Sequence, residues 1–376
     1  MQRPPAIAQI KLHRHFGGGE VYARFLCAAL DGLGHPNLIL THPRATYWNT
    51  LKLPAGTLRH EAATPEEAIR AIPKGIPVIS HAPLPQSLLR QATARNPMSC
   101  IVHMPFTGKA EDFAGYERVF AVSEHVANSL RQRGVEPWPE PLLGVADFQR
   151  GSAGDGSIQR RSEFDWDQRK VRDRLLGLSE SIWSRLRPQA TYVRNPAHLN
   201  LCVVSRLTTI KKFPELFTLL APIMAEFPRV RLELFGAGGY AQVRDTRVAL
   251  RPLGERVRFW GHQTDITTIY RNVDCVLSGL PEREALGLNL IEAQQLGTPV
   301  IAVDAPPFTE TVAHGVTGWL YRDPREDRGE DFRSLLRSFL DHRLELDRSG
   351  AKAHLQRFSM PAFMERVQRA WGIWLP

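Results

Sequence analysis

The chain has few cysteines, and they stand far apart. Cys27, Cys100, Cys202 and Cys275 form no C-x-x-C pair, which argues against a disulfide framework and against a zinc knuckle. The sequence also lacks a run of about 18 uncharged apolar residues, so it predicts no membrane-spanning helix. The N-terminal segment lacks the continuous apolar core of a signal peptide. We therefore expect reduced, structural thiols and a cytoplasmic chain.

Long blocks of one charge are also missing, although the chain is basic overall. Its 48 lysines and arginines outnumber its 39 aspartates and glutamates, which gives a net charge of +9. The excess is larger in residues 1–190, with 24 basic and 18 acidic residues, than in 191–376, with 24 and 21. Nucleic acid, an anionic membrane surface or phosphorylated substrates could each explain it. Because no nucleic-acid-binding motif accompanies the charge, we expect no nucleic-acid partner.

The composition is that of a globular protein with about two domains. Of the 376 residues, 43% are hydrophobic and 23% are charged, and domains average about 150 residues. Short apolar runs alternate with amphipathic stretches, which is typical of doubly wound α/β domains. Predicted strands occur in two series: 6–10, 37–40, 76–80, 99–103 and 118–123, and then 199–205, 230–236, 257–261, 274–279 and 298–304. The two series predict two Rossmann-like halves.

Three consecutive glycines, Gly17, Gly18 and Gly19, connect the first predicted strand to a predicted helix. Glycines at such a turn let backbone N–H groups approach a phosphate, and the helix N-terminus adds a positive potential. A tight turn that requires positive φ explains the same glycines equally well. The motif alone leaves both interpretations open.

Two cations follow the first strand of the second half. Arg206 and Lys211 would lie at the carboxyl end of that strand, where open α/β sheets bind ligands. An arginine can bind a diphosphate through two parallel hydrogen bonds, and a lysine adds a compact charge; the alternative is a solvated loop. Gly236 and Gly238 end the next strand in a loop suited to close approach. Because these glycines lack the G-x-G-x-x-G spacing, we exclude NAD binding.

The most specific segment of the sequence contains two glutamates eight positions apart. Glu284 would lie at the N-terminus of a helix and Glu292 on its second turn. Carboxylates at these places could accept hydrogen bonds from sugar hydroxyls. A glutamate favoured by the helix dipole plus a surface glutamate would fit the spacing equally well. Three residues at the start of the helix would offer free backbone N–H groups to an anion: Gly287, Leu288 and Asn289.

This segment, EALGLNLIEAQQLGTPVIA, resembles the EX7E region of retaining glycosyltransferase family 4 (glycosyl transferases group 1). Further motifs similar to those of the family are SRLTTIKK, LFGAGG and HGVTGWL in the second half, and FGGGE, VFAVSEHVANSL and a degraded LLGVADF in the first. The resemblance implies an α/β protein of GT-B fold, with two Rossmann-like domains facing across a cleft. It also implies that a C-terminal helix packs back on the N-terminal domain.

On this basis we divide the chain into four segments. Residues 1–150 would form an N-terminal Rossmann-like acceptor domain, and residues 196–358 a C-terminal Rossmann-like donor domain for the nucleotide sugar. Residues 151–195 would be a charged insertion or linker, and 359–376 an amphipathic helix. The insertion fits no family pattern. A solvated linker helix is our preferred interpretation, and an acceptor-binding or membrane-contact element is the alternative.

The resemblance also implies a role for each motif residue. Arg206 and Lys211 would neutralise the donor diphosphate, with Lys212 able to replace Lys211 because the spacing varies in the family. Glu284 would bind hydroxyls of the donor sugar, and Glu292 would bind the ribose of the nucleotide. The glycine-rich turns of both halves would assist donor binding. The nucleotide sugar is a substrate, and neither a metal nor another cofactor is expected.

A histidine in the first half completes the predicted catalytic set. His103 follows a predicted strand at the place where the family carries a histidine facing the donor sugar, and His81 is a less certain position. One departure concerns Pro306 and Pro307, which replace a Gly-Gly pair ahead of Glu310. Prolines remove N–H donors and stiffen the turn, so the sugar site beside them is expected to differ from that of the family.

Together these observations predict a retaining glycosyltransferase. It would move a sugar from a UDP- or GDP-linked donor to an envelope glycan or lipid-linked acceptor such as lipopolysaccharide. The family resemblance implies that the acceptor attacks the front face of the sugar. The charge suggests peripheral contact with an anionic membrane on its cytoplasmic face. Two alternatives remain open: a nucleotide-sugar epimerase or hydrolase of GT-B fold, and a non-catalytic nucleotide-sugar-binding protein.

Overall fold

The alternating segments of the sequence fold into two parallel sheets, one in each of two units. In the computed structural model, the first unit comprises Met1–Asp147 and Gln356–Pro376, and the second comprises Phe148–Leu355. The structure describes the following residues: 5–146, 157–166, 171–186, 190–342 and 344–372.

The first unit is a six-stranded sheet in the order β3-β2-β1-β4-β5-β6, with every neighbouring pair parallel. Its strands are β1 (Ile7–Lys11), β2 (Asn37–Thr41), β3 (Thr57–Glu61), β4 (Val78–Ser80), β5 (Met98–Val102) and β6 (Arg118–Ala121). Its first helices are α1 (Gly18–Gly32), α2 (Pro65–Ala71), α3 (Gln86–Thr93) and α4 (Glu124–Arg131). The crossover from β3 to β4 reverses the order of strands beside β1.

Helices cover both faces of this sheet, which explains why its strands are apolar rather than alternating. Ala8 and Ile10 of β1 share one buried cluster with Leu88 of α3. Ile39 of β2 shares another with Cys27 of α1. All five residues of β1 are buried.

The second unit repeats this plan in the order β12-β11-β10-β7-β8-β9, again with parallel pairs. Its strands are β7 (Leu199–Val204), β8 (Val230–Phe235), β9 (Val257–Gly261), β10 (Cys275–Leu277), β11 (Val300–Val303) and β12 (Gly318–Tyr321). Its helices are α5 (Val171–Leu186), α6 (Phe213–Ala225), α7 (Tyr240–Ala249), α8 (Ile266–Arg271), α9 (Leu288–Gln295), α10 (Phe308–Thr311), α11 (Pro324–Asp327) and α12 (Glu330–Leu340), followed by α13 (Ala351–Gln356) at the junction with the first unit. A single large hydrophobic cluster lies between the sheet and these helices.

The final helix, α14 (Met360–Trp371), belongs to the first unit, as the sequence predicts. The hydroxyl of Ser359 accepts a hydrogen bond from the Ala362 N–H and caps the helix start. The apolar face of α14 packs on α1, where the rings of Phe363 and Tyr22 meet edge to face with centroids 5.5 Å apart. Burial of this face holds the end of the chain on the first unit.

The predicted α/β class and the two Rossmann-like sheets are confirmed, and the differences concern single elements. β3 was not predicted, because its sequence TLRHE is polar and the strand lies at the sheet edge, partly exposed. β12, which is also an edge strand, in the second sheet, was not predicted either. α1 begins at Gly18, three residues before the predicted start, so two of the three glycines are helical.

Candidate functional site

The second unit places its motif residues where the strand order reverses. β7 and β10 are neighbours in the sheet, but β8 and β9 intervene in the sequence. The loop after β7 carries Arg206 and Lys211, and the loop after β10 carries Glu284. Ligands of open α/β sheets bind outside the carboxyl ends of strands at such a reversal. We therefore take these two loops, together with the start of α9, as the candidate site.

The two loops are joined by an ion pair between Lys211 and Glu284. Lys211 is the last residue of a short 3-10 turn, Thr209–Lys211. Oε2 of Glu284 contacts the lysine, while Oε1 accepts hydrogen bonds from the N–H groups of Ala285 at 3.3 Å and Gly287 at 3.2 Å. Both oxygens of the carboxylate are thus held, and the side chain is oriented before any ligand binds.

Gly287 begins α9 in a backbone conformation that glycine adopts most readily. Its φ of 79° and ψ of 52° lie in the left-handed region. Its N–H donates to Glu284, so the expectation that Gly287 offers a free N–H is corrected. Within the described chain, the N–H groups of Leu288 and Asn289 have no acceptor. The amide of Asn289 donates to the Val204 carbonyl at 3.1 Å, which ties the start of α9 to the end of β7.

Glu292 lies one turn further along α9 and faces a buried tyrosine. The hydroxyl of Tyr270 donates to Oε2 of Glu292 at 3.0 Å. Burial raises the pKa of Glu292 to about 7, and the hydrogen bond from Tyr270 offsets part of that rise. Near neutral pH this carboxyl therefore exists in both protonation states. Such a group accepts hydrogen bonds from a diol most strongly once it is ionised.

The other two cations near the site, Arg206 and Lys212, differ in the acidic residues that they contact. Arg206 is exposed, and the structure shows no ion pair for it among the residues it describes. Lys212 lies 3.4 Å from Glu215 and 3.6 Å from Glu282. The charge of Lys212 is therefore directed at surface carboxylates, whereas Lys211 faces Glu284. This geometry favours Lys211 over Lys212 as the site lysine.

Gly236 and Gly238 are needed for contact between two backbone loops. A Cβ atom on Gly236 would overlap the Ser205 carbonyl oxygen, and one on Gly238 would overlap the Leu207 carbonyl oxygen. The Leu207 N–H also donates to the Ala237 carbonyl at 2.9 Å. Close approach was predicted for these glycines, but the group approached in the structure is the loop that carries Arg206. They support the candidate site by fixing that loop.

The first unit places a second set of polar groups at the carboxyl ends of β1, β4 and β5. His81 follows β4 and His103 follows β5; His81 Nδ1 lies 2.8 Å from His103 Nε2. His81 Nε2 lies 3.0 Å from Oε1 of Gln9. Burial and the nearby Lys11 ammonium lower the pKa of both histidines well below its ordinary value. Both imidazoles are therefore neutral at neutral pH.

The glycine turn of the first unit surrounds a buried ion pair. Nζ of Lys11 lies 3.1 Å from Oε1 of Glu20, and both side chains are buried. A Cβ atom on Gly19 would stand 2.9 Å from the Lys11 ammonium. Gly17 has an extended backbone with φ of −172°, so positive φ does not explain it. The absence of a side chain at Gly19 thus leaves space for the ammonium of Lys11. Gly17–Gly19 lie in the first unit, whereas the other predicted donor-binding residues lie in the second.

Sequence reasoning missed three residues of these arrangements. Gln9 and Lys11 lie in β1, where a polar residue inside an apolar run is the only signal. Tyr270 lies in α8, 22 positions before the glutamate that it contacts, and nothing in the sequence marks it.

The Pro306-Pro307 peptide is cis and directly precedes α10.

None of the helices that the structure describes combines the length and apolarity required to cross a bilayer. Nor do the described residues contain a group of three or more histidine, cysteine or acidic side chains that could hold a metal ion.

The chain matches a known family over most of its second unit. Residues 193–353 match the family described as glycosyl transferases group 1. The chain is 28% identical over 144 residues, 38% of its length, to the GtfA subunit of a UDP-N-acetylglucosamine–peptide N-acetylglucosaminyltransferase of Streptococcus agalactiae. It is 40% identical over 70 residues, 18% of its length, to LpsB, a lipopolysaccharide core biosynthesis mannosyltransferase of Rhizobium meliloti (strain 1021). These matches span only 27% and 19% of the two relatives.

A structural comparison extends the likeness to both units. The structure of Anabaena Alr3699/HepE in complex with UDP and glucose superposes with a TM-score of 0.67, and the match covers 97% of this chain and 99% of the other. Sequence identity is 16%, so this likeness shows a shared fold. The sheets described above are accordingly those of the GT-B fold. Residues 193–353, which hold the ion-paired Lys211 and Glu284, are the part of the chain that matches the glycosyl transferases group 1 family.

Proposed function

We propose that the chain is a retaining glycosyltransferase that uses a nucleotide-diphosphate sugar. The observation that carries this proposal is the ion pair between Lys211 and Glu284 at the strand reversal of the family-matched unit. It lies beside the N–H groups of Leu288 and Asn289, for which the described residues provide no acceptor. Cations and helix N–H groups bind phosphate, and the oriented carboxylate binds hydroxyls. A sugar diphosphate presents both kinds of group.

The residues divide the work of the reaction by their charge. Arg206 and Lys211 neutralise the diphosphate as its bond to the sugar breaks, and such electrostatic stabilisation supplies most of the rate in reactions of this kind. Glu284 orients the sugar through its hydroxyls, and Glu292 accepts hydrogen bonds from the ribose. The acceptor oxygen attacks the face from which the diphosphate departs, and its proton passes to the departing phosphate. The two cations supply the positive charge at the phosphates, so no metal ion is required.

The donor and the acceptor are suggested by relatives. The GtfA relative takes its sugar from UDP-N-acetylglucosamine, and the similar Anabaena structure holds UDP and glucose. UDP is therefore the first nucleotide to test, with GDP second. The LpsB relative acts in lipopolysaccharide core biosynthesis. An envelope glycan or a lipid-linked glycan is the acceptor that we propose.

Contact with a membrane is a further part of the proposal, and α5 is the element that favours it. Val171, Leu175 and Leu178 are each more than 60% exposed and recur at helical spacing along α5. Arg174 is exposed on the same helix. Exposed apolar residues with cations nearby are typical of helices that lie on anionic bilayers. We propose that α5 lies on the anionic surface that holds the acceptor.

The test is to incubate the chain with UDP-glucose and UDP-N-acetylglucosamine, with and without lipid-linked core oligosaccharide. Transfer of sugar to the oligosaccharide, with the anomeric configuration of the donor kept, supports the proposal. Release of free sugar at the same rate without an acceptor would identify a hydrolase instead. Binding of UDP without turnover of either sugar would identify the non-catalytic alternative. Glu284→Gln is the matched variant, because it keeps the volume of the side chain and removes its charge.

A further inference from the structure

A chain of four polar side chains runs through the interior of the first unit. Nε2 of Gln9 donates to Sγ of Cys27 at 3.2 Å, which leaves the amide oxygen facing the histidines. That oxygen lies 3.0 Å from Nε2 of His81, whose Nδ1 lies 2.8 Å from Nε2 of His103. The two imidazoles are nearly parallel, with centroids 5.0 Å apart. Only His103 is partly exposed; the other three side chains are buried.

The donor and acceptor roles of these four side chains fix the position of each proton on the two imidazole rings. An amide oxygen only accepts hydrogen bonds, so Nε2 of His81 must carry a proton. A neutral imidazole has one proton, and therefore Nδ1 of His81 is an acceptor. Nε2 of His103 must then be the donor in the 2.8 Å contact. This leaves Nδ1 of His103 unprotonated, and the structure shows no partner for that nitrogen among the residues it describes.

The groups that surround His81 and His103 keep both imidazole rings neutral. The ammonium of Lys11 is the positive group that acts on both imidazoles. A Cβ atom added to Gly19, beside this ammonium, would stand 3.9 Å from Cγ of His103. The carboxylate of Glu20 pairs with this ammonium, with Nζ of Lys11 3.1 Å from Oε1 of Glu20. Tyr22 meets His103 edge to face with centroids 5.0 Å apart, while its hydroxyl donates to the Leu142 carbonyl. Among the residues that the structure describes, the recorded partners of the ring nitrogens are an imidazole and an amide, and no carboxylate contact favours protonation of either ring.

We propose that Gln9 and His81 are positioning residues that hold His103 as the Nε2-protonated neutral imidazole, with Nδ1 ready to accept a hydrogen bond from a substrate hydroxyl. The part of this inference that concerns the substrate rests on the proposed transferase function. The part that concerns the ring protons rests only on the contacts of the first unit. A histidine in the other tautomer would present a donor to the same hydroxyl. The direction of the hydrogen bonds along these four side chains thus makes His103 an acceptor, rather than a donor, toward a substrate hydroxyl.

The ring protons can be read directly by nuclear magnetic resonance on the full chain with 15N-labelled histidine. His81→Asn and His103→Asn assign the two signals, and His262→Asn, an exposed position in the second unit, serves as the control. At pH 7 we expect both rings to be neutral, with the proton on Nε2 and the bare nitrogen at Nδ1. A proton on Nδ1 of either ring, or a cationic ring at pH 7, would overturn the proposal.

Variants of Gln9 test the cause of the tautomer. Gln9→Met has a similar shape but replaces the amide oxygen with a much weaker acceptor, and we expect both rings to lose their single tautomer. Gln9→Glu restores an acceptor oxygen, and we expect the Nε2-protonated form of His103 to return. Unchanged tautomers in Gln9→Met, in a chain whose circular dichroism matches the wild type, would contradict a positioning role. None of these readings needs a substrate, so they stand or fall separately from the transferase proposal.

Activity then tests the substrate part. With UDP-glucose as the probe, turnover by Gln9→Met is expected to fall about tenfold to a hundredfold, as is typical when the partner that orients a functional histidine is lost. The KM for UDP-glucose is expected to stay within about twofold, and Gln9→Glu is expected to recover most of the turnover. Equal turnover in wild type and Gln9→Met, despite a changed tautomer, would overturn the role of His103 as an acceptor. A wild-type chain without turnover of any donor would instead contradict the proposed function.

Discussion

The ammonium group of Lys211 contacts the carboxylate of Glu284, across 73 positions of sequence. This one ion pair joins the loop after β7 to the loop after β10, which are the two loops that flank the strand reversal of the second unit. It orients the carboxylate that we assign to the donor sugar and holds a cation beside it. The roles of Lys211 and Glu284 therefore depend on each other.

Lys211 and its neighbour Lys212 form a matched pair for mutation. Lys211→Ala removes the cation that faces Glu284, and we expect kcat/KM for the sugar donor to fall by about 10²–10³, as for the loss of one preorganised group at a site of developing charge. Lys212→Ala removes a cation that faces Glu215 and Glu282, and we expect a change of less than about threefold, since such exposed pairs contribute little. Steady-state kinetics measure both. Equal losses in the two variants would contradict the assignment of Lys211.

The pKa of Glu292 predicts a pH dependence of nucleotide binding. The raised value of about 7 means that the carboxyl ionises as the pH rises through neutrality. Because a carboxylate is the stronger hydrogen-bond acceptor, the affinity for UDP should rise over this range. Calorimetric titration at pH 6 and pH 8 measures the change, and Glu292→Gln should bind with an affinity that does not depend on this ionisation. Tyr270→Phe removes a hydrogen bond that lowers this pKa, so its midpoint should move above that of the wild type.

The same shift predicts the sign of a stability change. Between the ordinary pKa of 4.5 and about 7, the folded state binds more protons at Glu292 than the unfolded state. The free energy of unfolding therefore falls as the pH rises through this window. Urea unfolding of the wild type and of Glu292→Gln at pH 5 and pH 8 isolates the contribution of this group. A wild type that gains stability relative to Glu292→Gln between these two values would contradict the raised pKa.

Two adjacent glycines test the contact between loops in the second unit. Gly238→Ala places a Cβ on the Leu207 carbonyl oxygen, and we expect a loss of about 1–3 kcal/mol in the free energy of unfolding, as is typical of overpacking. Gly239→Ala is the control, because a Cβ there meets nothing within 4 Å and its φ of −63° suits any residue. We expect its effect to stay within about 0.5 kcal/mol. Denaturant titration that gave equal effects would show that the close approach is not required.

The exposed apolar residues of α5 predict binding to anionic vesicles. Val171→Ser combined with Leu175→Ser removes two of the exposed apolar side chains of α5, and partition onto vesicles rich in anionic lipid should fall at least about tenfold. Val193→Ser changes a side chain outside α5 that is at least as exposed, and it should leave partition unchanged. Sedimentation at low salt measures the bound fraction. Wild-type protein that stays in the supernatant would exclude membrane contact through α5.

The sequence predicted the architecture well because its strands are buried on both faces and are therefore continuous apolar runs. β3 escaped because a polar edge strand such as TLRHE lacks that pattern. The charged site residues were found through motifs, since Arg206, Lys211 and Glu284 occur in recognisable local patterns. Their partners lie far away in the sequence. Nothing local brings Gln9 to His81, 72 positions apart, or Tyr270 to Glu292, because only the folded sheet places them in contact.

The central claim is that the second unit binds a nucleoside diphosphate through Arg206 and Glu292, and thermal unfolding tests it most directly. The midpoint would be followed with UDP, GDP, ADP, TDP and CMP for the wild type, Arg206→Ala and Glu292→Ala. A ligand at a hundred times its Kd stabilises the folded state by about 2.7 kcal/mol. We predict that one diphosphate, UDP first, raises the midpoint of the wild type and raises it far less in both variants. A midpoint that no nucleotide moves, or one that moves equally in all three proteins, would contradict the assignment of the donor site.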